Sequence, residues 1–136
     1  MRNQDLKELL QAMEDACKGK LDDSKGKMVN HWYKAQINTY GTVINIILDE
    51  FTRNKYFKAY LNIDKGKEDL TMTLDELRDL LTAMQMAWLD ELNNIKGRLP
   101  RHWAHAEIQT LNEVIDIIGN ESSYEELKEK YLKKGN

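Results

Sequence analysis

One stretch of the chain constrains its architecture more than any other. Residues 28–48 read MVNHWYKAQINTYGTVINIIL, and Lys34 is the only formal charge among them. In the whole chain 32% of residues are charged. A segment this poor in charge is one that folding or association takes out of water, because an unpaired buried charge costs far more than a hydrogen-bonded amide. Val29, Tyr33, Ile37 (or Gln36), Tyr40, Ile44, Ile47 and Phe51 recur at helical spacing, and Trp32, Val43 and Ile46 widen that apolar face. The other face carries His31, Lys34, Asn38, Thr42, Asn45 and Asp49. A helix apolar over most of its circumference sits centrally in a fold. The uncharged stripe is then dry either within one chain or between chains, and the sequence leaves both open. Gly41 falls mid-helix, at a kink or where another backbone comes close. The many β-branched residues keep a strand reading of TVINIIL alive.

Breakers are scarce elsewhere. Pro100 is the only proline among 136 residues, and the seven glycines fall mostly between periodic segments, which favours long helices. Leu6, Leu9, Leu10, Met13 and Cys17 define a first helix over about residues 4–18. Gly19 is placed to cap it, and KGKLDDSKGK follows as a polar loop. After the central helix the period changes. Phe57, Ala59, Leu61 and Ile63 alternate with Lys58, Tyr60 and Asn62. That pattern predicts a β-hairpin over residues 56–63 and 68–72, turning at DKGK; a short helix using Phe57, Tyr60 and Leu61 is its rival.

Thr73-Leu-Asp-Glu76 is a capping box. It opens a helix along Leu77, Leu80, Leu81, Met84, Trp88, Leu92 and Ile95 as far as Gly97. Pro100 suits the first turn of the next helix, which runs along Trp103, Ala104, Ile108, Leu111, Ile115 and Ile118 to Gly119. Ser122-Ser-Tyr-Glu125 reads as a second capping box before a short helix bearing Tyr124, Leu127 and Tyr131. No internal repeat or linker divides the chain. The expectation is a mainly α fold: a compact helical domain of about five helices over residues 1–136, with one short β-hairpin between the second and third.

Chemistry is thinly signalled. His102, His105 and Glu107 lie within RHWAHAE. Two histidines three apart on a helix can bind one metal ion, and His31 could add a third ligand. Neither HExxH nor the Glu-x-x-His pair of di-iron bundles is present, so two amphipathic-helix histidines are the plainer reading. Ser24, Ser122 and Ser123 sit in loop or capping contexts. Cys17, the only cysteine, lies on an apolar face, where a free thiol behaves as a small hydrophobe. With no Walker loop, dinucleotide fingerprint or multi-cysteine zinc site, no cofactor is expected. The acidic bias of Asp75, Glu76, Asp79, Asp90 and Glu91 reads first as a solvated face, and second as a dock for a basic partner.

Arg53, Lys55 and Lys58 beside Tyr56 and Phe57 could hold single-stranded nucleic acid by charge and stacking. A net charge of −3 with both signs mixed argues against a dominant nucleic-acid surface. The N-terminus lacks the apolar core of a signal peptide, and no run of residues could span a bilayer, so a cytosolic setting without membrane contact is expected. The leading functional expectation is a non-enzymatic regulator or inhibitor, homodimeric, that binds a protein partner through His31, Trp32, Lys34, Asn38, Thr42 and Asn45. A small adaptor encoded by a phage or mobile element, acting on a host protein, fits that description. The alternatives are a metal-dependent enzyme or sensor using the His/Glu cluster, and a nucleic-acid accessory factor using the basic residues.

Overall fold

A computed structural model describes residues 1–63 and 72–132. The described residues form six helices: α1 (Asn3–Asp23), α2 (Lys27–Leu48), α3 (Glu50–Leu61), α4 (Leu74–Leu92), α5 (Arg98–Gly119) and α6 (Glu121–Tyr131). The mainly α expectation stands; the hairpin does not. Residues 56–61 belong to α3, and there is no strand among the described residues. The hairpin's second arm falls on 68–72, of which 68–71 lie outside the described residues. A short apolar run fits a period of two and a period of 3.6 about equally well, so its ends decide. Asp49 caps the start of α3 by accepting from Thr52 N at 3.0 Å. Asn62 closes it in the left-handed conformation at φ 55°, with Ile63 N donating to Phe57 O at 3.3 Å. Both are strong helix punctuation. Only Phe57 of the expected strand face is fully buried.

Two other boundaries differ. α1 continues past Gly19 to Asp23. Glycine costs a helix about 1 kcal/mol, but it stops one only when it is needed in the left-handed region. α6 is capped by Asn120 rather than by a Ser122 box: Asn120 Oδ1 accepts from Ser122 N at 2.9 Å and Ser123 N at 3.4 Å. The Thr73–Glu76 box forms as read, with reciprocal bonds of 2.9 and 3.1 Å. Pro100 lies in the first turn of α5, which starts after Gly97 at φ 99°.

Cross-helix contacts give the topology. Cys17 meets Gln36, and Glu14 lies against Gly41, so α1 and α2 are antiparallel. Gln85 donates to Ile108 O at 3.1 Å and Arg101 to Leu92 O at 2.6 Å, so α4 and α5 are antiparallel too. Between these hairpins α2 meets α5, and their partners ascend together: His31 with Trp103, Thr39 with Glu107, Tyr40 with Glu113. α2 and α5 are therefore parallel. α3 spans from α2 to α4, and α6 from α5 to α1.

One apolar core threads all six helices. Its largest fully buried side chains include Leu6, Leu9 and Leu10 from α1, Ile46 from α2, Phe57 from α3, and Leu77, Leu80 and Leu81 from α4. No helix of the described residues is long and apolar enough to cross a membrane.

Candidate functional site

The central position of α2 explains its missing charges. Three of its polar side chains, Asn38, Thr39 and Tyr40, are partners for acids that α5 supplies. Asn38 Nδ2 donates to Glu107 Oε1 of α5 at 2.8 Å, and the Thr39 hydroxyl contacts the other carboxyl oxygen. The Tyr40 hydroxyl donates to Glu113. Burial, followed by the neighbouring Glu113, pushes the Tyr40 phenol far above its ordinary range. On the α1 side, Glu14 rests against Gly41, where an added Cβ would lie 3.1 Å from Glu14 Oε2. Gln11 and Lys18 contact that carboxyl group at 3.2 and 3.4 Å.

The stripe expected to be dry is not buried by the chain's own helices. Thr39, just beside it, is inside the fold, whereas Lys34, Asn38 and Asn45 are exposed, and His31, Trp32 and Thr42 are half-buried. The chain's own helices leave most of this face open. Its line continues at helical spacing to Leu48, 57% exposed, and around the corner to Phe51, 78% exposed. The sequence pattern places Phe51 on the apolar inner face, and Val29 with it; both are exposed. Phe51 leaves that face because the helix breaks at Asp49. The residue is in the first turn of α3, on a new axis. An N-cap aspartate followed by Thr52 is the signal in the sequence that locates this break.

At the other end of α2 four rings interlock with α5. His31 packs edge-on against Trp103, with centroids 4.9 Å apart, and Trp32 packs against His102, also at 4.9 Å. The expected metal ligands are thereby dispersed. His102 faces an indole, His105 is exposed, and Glu107 points inward to Asn38 and Thr39. No group of three or more His, Cys, Asp or Glu side chains among the described residues is arranged to hold a metal ion.

The basic candidates are likewise split. Arg53 donates to Ile46 O at 3.0 Å and Ile47 O at 2.7 Å, covering carbonyls that the end of α2 leaves free. Lys55 and Lys58 are exposed. Tyr56 and Tyr60 stack on each other with centroids 5.9 Å apart, so they do not present two open faces for bases. Cys17 is buried, with its thiol raised by burial, as its place on an apolar face predicts.

No protein-family model matches the chain, and no curated protein or solved structure is significantly similar to it.

Proposed function

We propose that this chain is a protein-recognition module, a regulator or inhibitor that acts by binding, and that its binding face is the open side of α2. One observation carries the reading. A strip poor in charge runs from the His31/Trp32 end through Asn38, Thr42 and Asn45 to Leu48, with Lys34 and Asp49 as its charged members, and Phe51 follows just beyond the break; Leu48 and Phe51 expose 57% and 78% of their surface. Binding cores are depleted of charge and enriched in aromatic residues.

The first partner is a second copy of the chain. A face that is mostly neutral meets its own copy without like-charge repulsion, and a two-fold dimer reuses one patch on both sides. A host protein bound through the same face is the regulatory form of the same reading. Light scattering after size exclusion tests it. Dimers at micromolar concentration are expected, together with monomers for Phe51→Glu; a wild-type chain that stays monomeric would remove the dimer. Affinity capture on wild-type and Phe51→Glu baits then tests the host partner, which should be retained only by the wild type.

A further inference from the structure

A second site lies away from the α2 face, between α3 and α4. Tyr60 of α3 and Met84, Ala87, Trp88 and Glu91 of α4 line a cavity of about 190 Å³. Among the described residues its lining comprises two aromatic side chains, a thioether, an alanine and one charged group, the Glu91 carboxylate. Tyr60 remains 41% exposed, and its stacking on Tyr56 at an interplanar angle of 13° holds the ring in place. Trp88 is half-buried against the core, so this wall too is fixed before any ligand arrives. Glu91 is exposed, and no ion pair to it is found among the described residues.

Size and lining together restrict the occupant. Cavities for drug-sized ligands run to roughly 300–1,000 Å³, so this one suits a single head group rather than a whole cofactor. Aromatic faces attract cations through the ring quadrupole. The rings are poor acceptors for N–H groups, so a primary ammonium would keep a strong hydrogen bond only to the Glu91 carboxylate at the rim and would lose most of its water shell. A quaternary ammonium has no N–H to lose. Its methyl groups pack on the rings and the Met84 thioether while Glu91 at the rim supplies the opposite charge.

The geometry points to a binding site for a small quaternary ammonium ion between Tyr60 and Trp88, with Glu91 as its counter-charge.

The test is a titration of the ¹⁵N-labelled full chain with choline chloride, read at the Trp88 indole N–H, with sodium chloride adjusted to constant ionic strength. Trp32→Phe and Trp103→Phe assign that signal without touching the cavity. The uncharged isostere 3,3-dimethyl-1-butanol is the parallel arm. Choline should move the Trp88 signal saturably with Kd on the order of millimolar, and the alcohol should not. Tyr60→Leu should weaken choline roughly fivefold and Glu91→Gln roughly threefold, with the remaining spectrum unchanged. Three results would overturn the assignment: no saturable shift up to about 50 mM choline, an equal response to the neutral alcohol, or shifts centred on Trp32 and Trp103 instead.

Discussion

Thr39 on α2 and Glu107 on α5 meet inside the fold, where they are 1% and 5% exposed, and hydrogen-bond across the interface that joins the two helical hairpins. Thr39 also has Ala35 O within 3.0 Å, so its hydroxyl has a second acceptor if the acid is removed. Glu107 keeps Asn38 on its other oxygen, but the oxygen that faces Thr39 has no second donor among the described residues. Thr39→Val should leave a buried oxygen underused and cost about 2 kcal/mol. Glu107→Leu should cost about 1 kcal/mol or less, because Thr39 turns to Ala35 O and Asn38 to water. The double variant should be more stable than Thr39→Val alone. Urea unfolding of the three variants checks the order, and a strictly additive cycle would refute it.

Tyr40 carries an alkaline signature. Its phenol is raised above the ordinary value of 10.0 by burial and by Glu113. A group whose pKa is higher in the folded state gives stability that is complete below the unfolded value and is lost as pH rises above it. Wild-type stability should therefore fall above about pH 10, with Tyr60 and Tyr124, also raised by burial, adding to the fall. Tyr40→Phe should lower stability at pH 8 and flatten the alkaline decline. Thermal unfolding at pH 8 and pH 10.5 reads both effects.

The acid limb belongs to two caps. Asp49 is held below its ordinary 3.8 by Thr52, and Asp5 by Arg2. A depressed carboxyl contributes stability that is present above the unfolded value and is lost as pH falls through the folded one. Melting temperature should drop below about pH 4. Asp49→Asn and Asp5→Asn, which can still cap but do not titrate, should make that drop shallower without abolishing folding.

Gly41 invites substitution. Alanine gains about 1 kcal/mol in a helix interior, but its Cβ would stand 3.1 Å from Glu14 Oε2. That atom is the end of a side chain which can swing by a few tenths of an ångström. Gly41→Ala should stabilise the fold by about 0.5 kcal/mol. Measured on a Glu14→Ala background, the same change should contribute nearer the full 1 kcal/mol. A destabilising Gly41→Ala would mean that Gln11 and Lys18 fix Glu14 rigidly.

Much of the helical plan is written in local chemistry. The Thr73 box, Pro100 and the leucine spacing of α1 and α4 depend on neighbours within a turn or two, and they are legible without coordinates. The failures share a different cause. Whether 56–63 coils or extends depends on caps at Asp49 and Asn62 competing with an ambiguous short pattern. Phe51 reads as core until the break at Asp49 rotates it outward. Glu107 reads as a metal ligand because nothing local shows that Asn38 and Thr39, some seventy positions away, will meet it. The charge-poor stretch did mark the central helix. What its composition could not show is that its polar partners, Glu107 and Glu113, arrive from α5 while Asn45 and Leu48 stay outside.

That open side is the basis of the functional reading, and association state tests it most directly. Light scattering across a micromolar concentration series should give a dimer for the wild type and a monomer for both Asn45→Arg and Phe51→Glu, with melting temperatures of the variants within a few degrees of the wild type. A control at the remote Asp79 should stay dimeric. A wild-type chain that is monomeric throughout, or a dimer indifferent to charges placed at 45 and 51, would contradict the account.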